Sequence, residues 1–256
     1  MKTRIVLTAL TIAVLVATGC FDIGNFAASK IGVSTRNFNE GFPAVFDERQ
    51  LENPIQKNIR LIIIDPGHGG RDPGAMATHI VDEEIFRYLE KDINHKIAQI
   101  LREKIIEIFP DTKVILTRDL DDLVSLESRT VQFNLSNLFS DEEALFISIH
   151  TNASINSNER GFEISIIDVI DKNNNANDFA KRVSLEFTNI FGNELPFRGI
   201  KQEQSYLFRN TFVPAIIVNI GFITNLEDSL LLYSEEDLKK SSNALFNGVK
   251  SYINSL

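Results

Sequence analysis

From Ile59 onward, short apolar runs alternate with longer stretches in which apolar residues recur every three or four positions. The runs are Leu61–Ile64, Val114–Thr117, Leu145–Ile149, Phe162–Ile167 and Ala215–Ile220. They are apolar almost throughout, as strands covered on both faces should be. Between the first two runs, Ile93, Ile97, Ile100, Leu101, Ile105 and Ile108 fall on one face of a 3.6-residue period. That spacing predicts an amphipathic helix opening at Glu90. Further helices are predicted over 126–138, 178–191 and 235–254. The last opens with Ser234-Glu235-Glu236-Asp237, a capping pattern. Strands alternating with helices predict an α/β fold, a single domain with a central, mostly parallel sheet flanked by helices. No internal repeat or low-complexity block interrupts it.

The first 58 residues follow a different pattern. Lys2 and Arg4 precede an apolar stretch from Ile5 to Val16 that is too short to span a bilayer, which takes about 20 residues. Ala17-Thr18-Gly19-Cys20 follows. Residues 1–20 are therefore expected to be an export signal. Cys20 is the sole cysteine, so no internal disulfide can form. Its place after small residues resembles a bacterial lipoprotein cleavage site, with Ala17 standing where such sites usually carry Leu. Lipidation of Cys20 would anchor the exported chain to a membrane of the periplasm or cell envelope. The competing reading is a plain signal peptide with Cys20 incidental. Residues 21–58 mix Gly, Asn, Ser and Pro with scattered Phe, and are expected to form a tether and an N-terminal arm.

Composition adds two exclusions. The chain is 43% hydrophobic and 24% charged, which supports a normal core and argues against general disorder. A formal net charge of −9, with no basic run after the signal, argues against a nucleic-acid partner. There is no Trp, so any sugar-stacking surface would use Tyr or Phe.

The candidate chemistry lies where strands end. In open α/β sheets, ligands collect past the carboxyl ends of the strands. Leu61–Asp65 runs into Pro66-Gly67-His68-Gly69-Gly70, and Leu145–Ile149 runs into His150-Thr151-Asn152. Each delivers a histidine to a strand terminus. An open zinc site takes three protein ligands, often two His and a carboxylate. Glu90, at the start of the long helix, is placed to supply the carboxylate. Taken singly, a strand-end His is more often a packed residue, and a Glu in a first helical turn usually complements the helix dipole. The other two histidines, His79 and His95, are expected to be exposed.

The motifs as a set resemble a known family. Ile63-Ile64-Asp65-Pro66-Gly67-His68-Gly69-Gly70-Arg71-Asp72-Pro73-Gly74-Ala75 is similar to the opening motif of zinc-dependent N-acetylmuramoyl-L-alanine amidases of the Amidase_3 type. Glu90-Lys91-Asp92-Ile93-Asn94, Leu116-Thr117-Arg118-Asp119, Val124–Arg129 and Phe146–Ala153 are similar to the motifs that follow in that family. Pro214–Asn225 is similar to the last. The resemblance covers 59–256, which it identifies as an amidase catalytic domain. It implies zinc (Zn2+) held by His68, Glu90 and His150. It also implies peptidoglycan as substrate, with hydrolysis of the amide between N-acetylmuramic acid and L-alanine in cell-wall remodelling or cell separation. An activator protein is a conceivable partner. Arg118, Arg129 and Asn152 match family positions, with structural roles expected.

This sequence departs from the family twice. The interval from His68 to Glu90 is longer than usual, which leaves Glu83 and Glu84 as rival ligands. The family's catalytic glutamate falls at Asn219, and an amide can donate a hydrogen bond but cannot shuttle a proton. Glu163, on the strand after the His150 motif, is the expected substitute, against the plainer reading of a strand-edge charge. An amidase-fold binding or regulatory lipoprotein of low turnover is the alternative function, and a zinc peptidase acting on stem peptides is a third.

Overall fold

Leu61–Pro66 (β1) is buried along its whole length, its apolar run Leu61–Ile64 ending in a buried Asp65 paired with Arg129. The computed structural model describes residues 59–134, 143–167, 174–203 and 213–256. The signal segment, Cys20, the arm to residue 58 and the predicted helix tail at 135–138 lie outside the described residues. After β1 come a hairpin, Met76–Val81 (β2) and Glu84–Leu89 (β3), and the long helix Glu90–Ile108 (α1). Lys113–Leu116 (β4), Leu126–Asn134 (α2), Ala144–Asn152 (β5) and Phe162–Ile167 (β6) follow. Asn174–Phe191 (α3), Phe197–Glu203 (β7), Ala215–Phe222 (β8), Leu226–Leu230 (α4) and Glu235–Ile253 (α5) complete the order.

The main sheet has six strands in the order β4-β1-β5-β8-β6-β7. β4, β1, β5 and β8 are mutually parallel, while β6 and β7 run against them. Alternate residues of β1 serve two cores. Ile62 and Ile64 join the larger cluster, with Ile97 and Leu101 of α1, Phe179 and Val183 of α3, and Leu245 and Tyr252 of α5. Leu61 and Ile63 join a smaller one with Phe146 and Ala215. The capping serine behaves as predicted, since Ser234 Oγ accepts from the Asp237 N–H at 3.2 Å.

The short helix α4 and the reversal of β6 and β7 go beyond the prediction, as do a hairpin and an edge strand. The β2–β3 hairpin turns on Asp82 and Glu83, both at positive φ (49° and 70°). Such turns normally advertise themselves with Asn or Gly, so the signal was absent. β7 is an edge strand, mostly exposed and polar, without the apolar run that marks a buried strand. No described helix is long and apolar enough to cross a membrane.

Candidate active site

β1 connects through the hairpin and α1 to β4 on one side, whereas β5 leads to β6 beyond β8 on the other. The crevice between the carboxyl ends of β1 and β5 is thus the switch point, where open α/β sheets bind ligands. His68 follows β1, and His150 lies near the end of β5. Glu90 reaches the same place because α1 starts against the loop after β1. The Glu90 N–H donates to the Ala75 carbonyl at 3.0 Å and the Lys91 N–H to that of Pro73 at 3.1 Å. No side chain caps the helix, so the loop itself takes its first donors.

The structure brings His68, Glu90 and His150 together, with one candidate ligand atom from each lying within 4.8 Å of the others. His68 Nε2 stands 3.2 Å from Glu90 Oε2, and His150 Nδ1 stands 2.9 Å from Oε1. Glu90 is buried, while the two histidines are about a quarter exposed (26% and 25%), so the group opens to solvent on the histidine side. The carboxylate also accepts the N–H of Ala75 at 2.8 Å and of Thr151 at 3.1 Å. Burial pushes the Glu90 carboxyl up, but hydrogen bonds to His150 and His68 outweigh it and hold the group well below the usual carboxylate range. The hydrogen bond to Glu90 likewise outweighs burial at His68 and, with Asp72, lifts its imidazole to about 8.

The rivals are elsewhere. Glu83 sits in the hairpin turn and Glu84 pairs with Val81 beside it. Five residues of strand, about 17 Å, separate Glu84 from Leu89 at the mouth of the site. The expectation that His79 is exposed is corrected, since its Nε2 lies 2.8 Å from the Ile223 carbonyl and its ring packs edge-on against Tyr88. His95 is half-buried, with its ring nitrogen 3.1 Å from the Asp119 carbonyl.

Close packing explains two glycines. A Cβ on Gly67 would lie 2.2 Å from His150 Cε1, and one on Gly74 would lie 2.6 Å from Glu90 Oε2. His68 itself adopts φ 62°, a left-handed conformation rare without glycine and held by its surroundings. Arg129 Nη2 donates to the His68 carbonyl at 2.6 Å, and Arg129 forms a buried ion pair with Asp65. Asp65 also accepts from Thr117 and Ser148. Sequence reasoning missed the role of Asp72, whose Oδ2 lies 2.9 Å from His68 Nδ1. The signal was its place four residues on in the glycine-rich motif.

Asn219 is the register partner of His150 on one side and of Glu163 on the other. The three therefore form a row across adjacent strands at the edge of the sheet that carries the His68, Glu90 and His150 cluster. Glu163 is not free: Lys201 Nζ lies 2.6 Å and Arg198 Nε 3.3 Å from its Oε2. Burial pushes its carboxyl up, while hydrogen bonds from Lys201 and Asn152, with the charges of Lys201 and Arg198, more than offset this and leave it below its ordinary value.

Residues 62–251 match the family model Amidase_3, N-acetylmuramoyl-L-alanine amidase. The chain belongs to this family. It is 29% identical over 203 residues to the N-acetylmuramoyl-L-alanine amidase LytC of Bacillus subtilis, covering 79% of this chain and 37% of LytC. It is also 29% identical to the probable cell wall amidase LytH of Staphylococcus aureus, covering 82% of this chain and 63% of LytH. The match thus spans less than two thirds of either relative. Among solved structures, the CwlD amidase of Clostridioides difficile, in complex with the GerS lipoprotein, superimposes with a TM-score of 0.65 at 26% identity. That match covers 77% of this amidase-family chain and all (100%) of CwlD.

Proposed function

We propose that this chain is a zinc hydrolase that cleaves the amide between N-acetylmuramic acid and L-alanine in peptidoglycan, with residues 59–256 as its catalytic domain. The observation that carries the reading is the convergence of His68, Glu90 and His150 at the switch point of an Amidase_3 chain. Two imidazoles and a carboxylate are the donor set of an open catalytic zinc site. Zinc bound there supplies a Lewis acid for the amide carbonyl and an acidified water as nucleophile. Asp72 would keep the proton on His68 Nδ1 and so present Nε2 as the donor.

Hydrolysis forms a bond from water oxygen to the lactyl carbonyl carbon and breaks the bond to the L-alanine nitrogen. A proton must travel from that water to the departing amine. Asn219, beside His150, can donate a hydrogen bond to the carbonyl but cannot carry the proton. Glu163, one strand further on, is the nearest carboxylate in the row and is assigned that task. Its two cationic neighbours keep it ionised, which suits a proton acceptor but makes it a weak one. Slow hydrolysis is therefore expected.

The position of Asn219 favours a second reading, a low-turnover peptidoglycan-binding or regulatory protein. Dye release from purified sacculi separates the two. On the first reading the wild type is active, and Glu163→Gln lowers the rate about 100- to 10,000-fold, the usual worth of a general base. On the second, the wild type is inert and Asn219→Glu revives it.

Export to the cell envelope, with anchoring through lipidated Cys20, belongs to the same proposal. The cell wall amidase LytH, which it resembles, supports the export part of that proposal, while the anchor rests on the Ala17-Thr18-Gly19-Cys20 pattern. The CwlD–GerS complex supports a partner protein for this chain as well.

A further inference from the structure

We infer that Arg118 is a positioning residue for the metal centre: by bonding the carbonyls of Gly67 and Lys91, it joins the His68 loop to the Glu90 helix and presets the separation of those two ligands. The inference rests on the metal reading above. Arg118 is buried, and its Nη2 lies 2.7 Å from the Lys91 carbonyl and 3.3 Å from that of Gly67. Its Nε lies 3.2 Å from the Pro66 carbonyl and its Nη1 3.2 Å from that of Leu120. One guanidinium thus binds the residue before the first ligand and the residue after the second.

The way its charge is met argues for this role. Burying a guanidinium is costly unless its donors are satisfied. Arg129, alongside, has Asp65 as an ionic partner. Arg118 has no carboxylate within ion-pair distance among the described residues, and all four of its hydrogen bonds go to backbone carbonyls. A buried cation spent wholly on main chain fixes the path of that main chain. Its planar fork of donors suits the task, whereas a lysine ammonium cannot hold the same diverging carbonyls. The two arginines together hold the carbonyls of Pro66, Gly67 and His68, the whole approach to the first ligand.

The segment carrying Arg118 is itself tied to α1. Arg102 Nη1 lies 2.6 Å from Asp119 Oδ1, and His95 meets the Asp119 carbonyl. The half-buried His95 thereby finds a use as part of the brace. The Thr117 N–H donates to the Ile64 carbonyl at 3.0 Å, which fixes the other side to β1. Arg118 therefore sits on a support locked to both elements it joins.

The test is zinc affinity of the full chain, by competition with a chromophoric chelator, together with the visible ligand-field spectrum of the cobalt(II)-loaded protein. Arg118→Gln and Arg118→Lys should each raise the zinc Kd about 10- to 100-fold, the usual effect of losing an outer-shell partner. Both should alter the cobalt spectrum, and lysine should not rescue. An unchanged Kd with a superimposable cobalt spectrum overturns the inference alone. A wild type that binds no zinc overturns it together with the proposed function. Should neither variant fold, amide hydrogen exchange on the wild type decides. The hydrogen-bonded amides of Gly67, Gly69 and Lys91 should be protected before zinc is added. Rapid exchange that slows only on zinc addition would overturn the preset geometry.

Discussion

His68 has a carboxylate on each ring nitrogen, Asp72 at Nδ1 and Glu90 at Nε2, and this governs how pH should act on the site. In the metal-free chain both nitrogens hold protons up to a pKa of about 8. A metal must displace the proton on Nε2. Zinc affinity should therefore rise about tenfold per pH unit below that value and flatten above it, as one-proton linkage requires. Calorimetric titration between pH 6 and 9 checks the slope, and a profile already flat from pH 7 would contradict the raised pKa of His68. His68→Ala and His150→Ala should each release the zinc, while His79→Ala and His95→Ala should retain it, by metal analysis of the purified chain. Gly67→Ala is a finer probe. Its methyl would collide with the His150 ring, so zinc binding should weaken at least about tenfold while the sheet stays folded.

The β2–β3 hairpin lies between the His68 loop and Glu90. It accounts for the long interval between His68 and Glu90, and it puts Glu83 and Glu84 at its far end. Glu90→Ala should abolish zinc binding, whereas Glu83→Ala and Glu84→Ala should leave it intact in the same measurement. The hairpin is secured by Tyr88, which is buried among His79 and Tyr233. Tyr88→Ala should cost about 3 kcal/mol, as large aromatic truncations do, read as a lowered thermal midpoint. These elements also show what the sequence makes legible. Five strands and the long helix announced themselves because β1, β5 and β8 are buried on both faces and α1 buries one stripe. That His68 and His150 would meet was readable because glycines flank the one and a strand end carries the other, and Glu90 joins them at a helix start. The hairpin was not, because its turn uses Asp82 and Glu83 at positive φ where Asn or Gly would signal it. β7 was hidden because an edge strand carries no unbroken apolar run. The reversal of β6 and β7 is a matter of connection rather than local pattern. The partners of Glu163 were equally out of reach, since Lys201 and Arg198 come from that unseen strand.

At the scale of the whole molecule, the sheet places all the proposed chemistry at one edge of a domain whose residues 62–251 match the N-acetylmuramoyl-L-alanine amidase family. On the proposal above, the first 20 residues bring the chain to its substrate. Metabolic labelling with a fatty acid should tag the wild type and not Cys20→Ser, and an unlabelled, soluble exported wild type would favour the plain signal peptide. Everything else depends on which bond is cut. The most direct measurement is mass spectrometry of sacculi digested by the zinc-loaded chain, with a chelated sample and Asn219→Glu run alongside. The account predicts stem peptides with a free L-alanine amine and glycans with an intact lactyl carboxyl. These products should vanish with chelator, return with zinc, and appear faster with Asn219→Glu. Cleavage within the stem peptide, or no cleavage of the lactyl–alanine amide by either zinc-bound form, would contradict it.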